Sequence, residues 1–206
     1  MADLQCAATL YVARHAEAEY ESALLSDCGG SLTPRGREQA RALGVSLRDA
    51  RIAVVHTSPM ARAVQTAEIA AAVLGVGVQV REGLREFSVG EHHGKEYDAA
   101  LFDPTFTRWL AGDLAATVPG GESGAEVVGR MREEIELMAD LYRGESVLVV
   151  SHGGAMCAAL PQLSRNLPGD YPAGRPLGNC DVVEAAVDAD GLVVRAWAGE
   201  RSAGWT

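Results

Sequence analysis

Three times along this chain a short apolar run stops abruptly at polar residues and gives way to a helix start, and few folds accommodate that punctuation. Thr9-Leu10-Tyr11-Val12-Ala13 ends in Arg14-His15, Ala53-Val54-Val55 ends in His56-Thr57-Ser58-Pro59, and Val147-Leu148-Val149-Val150 ends in Ser151-His152-Gly153-Gly154. Unbroken runs rich in β-branched residues suit strands buried on both faces, which is the condition inside a parallel sheet covered by helices. The helices can be read between them. Thr33 is placed to cap and Pro34 to open a helix through Gln39, Leu43 and Leu47; Ser58 and Pro59 are placed to do the same for an Ala-rich helix reaching Leu74. From Glu122 to Tyr142 the apolar positions Val127, Val128, Met131, Ile135, Met138 and Tyr142 recur at threes and fours, and a further helix runs through Leu160. Val182 to Val187 and Leu192 to Ala196, joined by the turn residues Asp188-Ala189-Asp190-Gly191, form a hairpin that closes the sheet. The pattern predicts an α/β protein of three α/β/α layers around a mainly parallel sheet.

The 206 residues suit a single domain over 1–206 that carries an insertion. Periodicity weakens between Phe87 and Thr117, where Gly, His, Asp and Trp accumulate, so this stretch is expected to be a small, partly helical cap; Pro161, Pro168, Pro172 and Pro176 mark a second irregular stretch. With 28 acidic against 18 basic residues, a net charge of −10 and Lys95 as the only lysine, broad contact with nucleic acid or an anionic membrane is excluded. No apolar run approaches the ~18 residues a membrane span requires, and no basic region with a hydrophobic core opens the chain, which points to the cytoplasm. The four scattered cysteines read as reduced thiols there. Oligomeric state is not legible, and a homodimer remains open.

In open α/β sheets ligands bind beyond the carboxyl ends of the strands, where helix N-termini offer free N–H groups to anions. Those ends supply Arg14 and His15, then Arg62, then His152 with Gly153. Each residue taken singly has a plainer reading, a buried core histidine or a solvated helix arginine. Together they describe a phosphoryl site, because guanidinium forks match phosphate oxygens and a neutral imidazole can attack phosphorus. A carboxylic acid must then protonate the leaving oxygen; Glu86, at the mouth of the 87–117 stretch, is the candidate, although Glu82, Glu91 and Glu96 are close in sequence. Glu21, His92 and Lys95 are candidates for contacts with the rest of the substrate. No metal and no other cofactor is implied: adjacent His92 and His93 beside Glu91 seldom face one ion, and Asp188-Ala189-Asp190-Gly191 lacks the later ligands of a calcium loop. Trp109 and Trp197 are most simply packing residues.

Five motifs in order resemble the histidine phosphatase superfamily, also called phosphoglycerate-mutase-like, over nearly the whole chain: Arg14-His15-Ala16-Glu17; Leu32-Thr33-Pro34-Arg35-Gly36-Arg37-Glu38-Gln39-Ala40; Ser58-Pro59-Met60-Ala61-Arg62-Ala63-Val64-Gln65-Thr66-Ala67; Leu84-Arg85-Glu86 with Gly90 and Gly94 beyond; and Val150-Ser151-His152-Gly153-Gly154. Pro119-Gly120-Gly121-Glu122-Ser123 also resembles a family element before the long helix. The resemblance implies that His15 is phosphorylated, that Arg14, Arg62 and His152 hold the phosphoryl oxygens, and that Glu86 is the acid. It implies a metal-independent phosphomonoester hydrolase acting through a phosphohistidine on a small phosphorylated metabolite.

Two departures stand out. Ala16 replaces the glycine that many members carry after the nucleophile, and Glu21 stands where many place a phosphate-contacting asparagine, if no gap intervenes. Two alternatives accompany the hydrolase reading: a cofactor-dependent phosphoglycerate mutase, against which the short chain and the lack of adjacent arginines in the inserted stretch weigh, and a phosphate-ligand binding protein without turnover.

Overall fold

The computed structural model describes residues 6–20 and 22–201. In chain order its main elements are β1 (Ala8–Arg14), β2 (Ala18–Glu19), β3 (Ser31–Leu32), α1 (Pro34–Ser46), β4 (Ile52–Thr57), α2 (Ala61–Leu74), β5 (Val78–Val80), α3 (Asp103–Leu110), α4 (Gly124–Leu141), β6 (Ser146–Ser151), α5 (Gly153–Leu163), β7 (Val182–Asp188) and β8 (Gly191–Trp197). The six-stranded sheet has the order β5-β4-β6-β1-β7-β8. Its first four strands are parallel; the β7–β8 hairpin adds antiparallel to β1. This is the mainly parallel α/β arrangement that the punctuation of the sequence predicted.

Strand alternation divides the core into two layers. Val147 and Val149 of β6, with Leu10 and Val12 of β1, face Val128, Met131, Ile135 and Met138 of α4 and Met156 and Leu160 of α5. Leu148 and Val150, with Ala13, face the other way onto Leu43, Ala63, Ala67 and Ala70 of α1 and α2. Each central strand is therefore covered on both faces, which is why its sequence is an unbroken apolar run instead of an alternating one. The exposed edge of β8 is blunted by Asn166, whose side chain donates to Val194 O at 2.8 Å and accepts from Val194 N at 3.0 Å, occupying ladder groups that another strand could otherwise pair with.

Local details depart from the sequence reading in three places. The second helix begins at Ala61 with Met60 at its N-cap and no side-chain cap, so Ser58 and Pro59 precede it. The long helix starts at Gly124, where Ser123 and Glu126 form a reciprocal capping box. The short edge strand β5 was not legible, because three residues carry too little periodicity. Residues 87–117 contain α3 and two short 3₁₀ turns, and their aromatic side chains Phe87, Phe102, Phe106 and Trp109 pack on Val127 of α4 and on Ala155 and Ala158 of α5. Trp109 Nε1 donates to Ala116 O at 2.7 Å, and Trp197 is buried in the core below.

His56 of β4 is wholly buried, edge-on to Tyr142, with Nδ1 accepting from Arg81 Nε at 3.2 Å. Burial, and then the Arg81 charge, push its pKa down to about 4. Between the ordinary value near 6.5 and about 4, the unfolded chain binds a proton here that the folded chain does not, so stability falls as pH drops through that window. His56→Gln, which keeps an acceptor for Arg81, is expected to flatten the decline of Tm with pH across this range; an unchanged slope would contradict the assignment.

Candidate active site

The carboxyl ends of β1, β4 and β6 open onto one place. Two hydrogen bonds join them, from His15 N to Ser151 O at 2.9 Å and from Ser58 N to Val150 O at 3.0 Å, and Arg14 N donates to Asp181 O, just before β7, at 3.0 Å. His15 and His152 come within 5.1 Å between ring centroids. Arg62, in the first turn of α2, donates from Nε to His15 Nε2 at 3.2 Å. Arg14, His15, Arg62 and His152 thus converge although the two histidines lie 137 positions apart in the chain.

The His15 ring is held in one tautomer. Nδ1 lies 2.8 Å from Ala16 O, and a carbonyl can only accept, so Nδ1 carries the hydrogen and Nε2 keeps the lone pair that Arg62 Nε meets. Burial lowers the pKa of His15 to about 3; the Ala16 hydrogen bond opposes this and the Arg62 and Arg14 charges reinforce it. His152, fully buried, is held well below its ordinary value by burial first and then by the Arg62 charge. Its Nε2 lies 2.8 Å from Ser58 Oγ, which also accepts from Met60 N, while its Nδ1 has no hydrogen-bond partner. Arg14 donates from Nη1 to Leu177 O and leaves its buried Nε without a partner. Two unpartnered buried polar atoms beside a neutral imidazole and two guanidiniums suit an anion that would complete their hydrogen bonding.

The motif residues around this cluster shape the loop that follows His15. Gln39 Oε1 accepts from Glu17 N at 2.8 Å, Thr33 Oγ1 donates to Glu17 Oε1 at 2.8 Å while capping α1 at Gly36 N, and Thr66 Oγ1 accepts from Ala16 N at 3.0 Å. Gly36 lies so close to Glu17 O that any Cβ would collide with it. The Ala16 methyl is buried with Leu32 and Ala40, and the backbone at 16 has no positive φ, so the left-handed freedom of glycine is not needed here.

Glu86 lies at the N-terminus of α5, just past His152. Oε1 accepts from Ala155 N at 2.6 Å and Phe87 N at 3.1 Å, and Oε2 accepts from Gly154 N at 3.0 Å. A Cβ on Gly154 would lie 2.8 Å from Glu86 Oε1, and one on Gly153 would crowd Arg14 Cδ at 3.3 Å, which accounts for the paired glycines. Of the three candidates for substrate contact, Glu21 lies outside the described residues. His92 is buried edge-on to Phe102 with Nδ1 3.3 Å from the Lys95 ammonium, and Lys95 is exposed. Among the described residues no hydrogen bond links His92 or Lys95 to the His15 cluster, so the structure groups these two with each other and with the 87–117 segment.

Sequence reasoning missed several supporting residues. Ser58 bonds His152 and does not cap α2 through its side chain. The loop before β7 also contributes: Asn179 Nδ2 donates to His15 O at 3.0 Å and Cys180, at φ 60°, donates its N–H to Arg14 O at 3.0 Å. A non-glycine residue at positive φ is uncommon, but only coordinates reveal it. Among the described residues no three His, Cys, Asp or Glu side chains gather in a way that could hold a metal ion, and no helix is long and apolar enough to cross a membrane.

Residues 10–199 match the family model described as histidine phosphatase superfamily (branch 1). The chain belongs to the histidine phosphatase superfamily. Within it, a Hydrogenobacter thermophilus protein named "Putative phosphoserine phosphatase 2" is 33% identical over 153 residues, covering 72% of this chain and 75% of its own. An Erwinia tasmaniensis protein named "Probable phosphoglycerate mutase GpmB" is 29% identical over 177 residues, covering 84% and 82%. The solved structure of mycobacterial glucosyl-3-phosphoglycerate phosphatase superposes with a TM-score of 0.77 at 23% identity, over 94% of this chain and 100% of that one, and shows the shared fold.

In the ligand-free protein, imidazole nitrogen NMR is expected to show His15 neutral and protonated at Nδ1 from about pH 8 down to about pH 4. A titration midpoint near the ordinary histidine value would overturn this reading of the ring.

Proposed function

We propose that this protein is a metal-independent phosphomonoester hydrolase acting on a small phosphorylated metabolite, with His15 Nε2 as the nucleophile. The observation that carries the proposal is the fixed His15 tautomer: Nδ1–H on Ala16 O and an Nε2 lone pair beside Arg62 Nε. In a substrate complex Arg14, Arg62 and His152 hold the nonbridging phosphoryl oxygens. If Ser58 donates to His152 Nε2, the unpartnered Nδ1 carries a hydrogen and becomes a donor for one of them. Nε2 attacks phosphorus, the P–O bond to the leaving group breaks, and the negative charge spreading over the oxygens meets two guanidiniums in a buried site, where such donors act most strongly.

Glu86 protonates the departing alkoxide. Oε1 already accepts two N–H groups and stays the acceptor; Oε2, with one, is the atom to carry the proton. Water then attacks the phosphohistidine, gives its proton to Glu86 and releases phosphate, which returns the imidazole to its starting form. Residues 87–117 act as a cap that shapes the leaving-group side, with Glu21, His92 and Lys95 as candidate contacts. The positive charge a phosphoryl transfer needs is supplied by two arginines, which supports independence from a metal. The names of the relatives place phosphoserine, phosphoglycerate and sugar-linked phosphoglycerate esters first among substrates to try.

Hydrolysis of p-nitrophenyl phosphate is expected to persist in EDTA, to vanish in His15→Ala, to fall ~10²–10³-fold in Arg62→Ala, and to be inhibited by vanadate as a mimic of the pentacoordinate transition state. Turnover abolished by chelation would defeat the metal-free mechanism. Phosphate-ester binding without turnover would favour the binding-protein alternative, and transfer dependent on a bisphosphoglycerate primer would favour a mutase.

A further inference from the structure

The stretch that carries Glu86 is held from both sides. Arg130 Nη1 donates to Gly83 O and Arg85 O, both at 2.7 Å, and Arg130 is paired with Glu122, whose Oε2 accepts from Ser88 N at 3.0 Å. These restraints come from α4 and the turn before it. Ser151 Oγ of β6 donates to Leu84 O at 2.8 Å, and a further restraint comes from the connection between β2 and β3. There Asp27 accepts from Ser88 Oγ at 2.8 Å through Oδ2 and from Val89 N at 2.7 Å through Oδ1. Two residues further on, Gly29 O accepts from Arg62 Nη1 at 3.0 Å. Residues 27–29 therefore grip the backbone just after Glu86 with one end and the Arg62 guanidinium with the other. Both Asp27 contacts are hydrogen bonds of the stronger, charge-assisted kind.

We infer that Asp27 is a positioning residue: it sets the spacing between the Glu86 carboxyl and the Arg62 guanidinium, and so between the acid and the phosphoryl group whose leaving oxygen it must protonate. The inference rests on Glu86 being that acid. Among the described residues Asp27 has no hydrogen bond to Glu86, His15 or Arg62 themselves, and acts through Ser88, Val89 and Gly29. The connection it belongs to is also joined to residues 94–97 by backbone hydrogen bonds at Ala23 and Leu25, so the loop keeps its anchorage when the Asp27 carboxylate is removed. What changes is local to residues 86–89, and a displacement of ~1 Å at a proton-transfer group can cost about 10²-fold in rate.

The test compares kcat/KM for glycerol 2-phosphate, whose alkoxide needs a proton to leave, with p-nitrophenyl phosphate, whose stable phenolate does not. Asp27→Ala should lower the first about 10- to 100-fold and the second less than about 3-fold. Asp27→Asn should recover most of the loss, since it still accepts from Val89 N and the Ser88 hydroxyl can turn to accept from its amide. Glu86→Gln should show the same selectivity more severely, and adding Asp27→Ala to it should cost no further selectivity. An equal loss on both esters in Asp27→Ala, with Glu86→Gln selective, overturns the inference alone; a non-selective Glu86→Gln overturns the acid assignment beneath it. Should Asp27→Ala fail to fold, Ser88→Ala removes only the Oδ2 partner and should give a smaller loss with the same selectivity, whereas a uniform loss there overturns the inference.

Discussion

The hydrogen bond from His15 Nδ1 to the carbonyl of its own neighbour, Ala16, is the contact on which the rest of the site depends. It costs the chain nothing in sequence distance, yet it chooses the tautomer and so decides which ring nitrogen can act. Burial does the complementary work by disfavouring the imidazolium, and the arginines on either side add to that. The same charges that would hold a phosphoryl group in the proposed mechanism thus help to keep the His15 imidazole neutral.

A bond between neighbours is useful only if the peptide that bears the carbonyl cannot swing away. The loop after β1 is therefore fixed at successive atoms: Ala16 N by Thr66, Glu17 N by Gln39, and the Glu17 carboxylate by Thr33. This gives the recurring Leu-Thr…Gly…Gln-Ala pattern of the first helix a physical meaning. Leu32 and Ala40 bury the Ala16 methyl, Gly36 lets the helix approach the loop backbone, and Gln39 satisfies the N–H that would otherwise be stranded. Thr66 also donates to Arg62 O at 2.7 Å, so one hydroxyl links the loop after His15 to the helix that carries Arg62.

Glu86 is held differently. Its carboxylate sits on the opening N–H groups of α5, the helix that follows His152, and the close approach explains why two glycines stand there. The acid candidate and the second histidine are consequently referenced to the same helix end. The aromatic residues of the 87–117 segment pack on that helix as well, so that segment and Glu86 share one foundation.

Much of this was legible in the sequence. A strand covered on both faces must be apolar throughout, and a polar pair after it must lie at the sheet's edge, so β1, β4 and β6 and the residues at their ends could be read directly. Arg14, His15, Arg62 and His152 follow from that rule, and the resemblance to a known family then singled out Glu86 among four nearby glutamates. Other features were decided only in three dimensions. Ser58 read as a helix cap because Ser-Pro before an Ala-rich run is a local signal, whereas its partner, His152, is 94 positions away. Asn179, Cys180 and Asp27 carry no local signal, since each acts through a hydrogen bond to a segment remote in the chain. Periodicity and punctuation are properties of neighbours along the chain and fix which elements form. The atom a side chain meets across a loop is fixed by how those elements pack, and only the folded molecule contains that information.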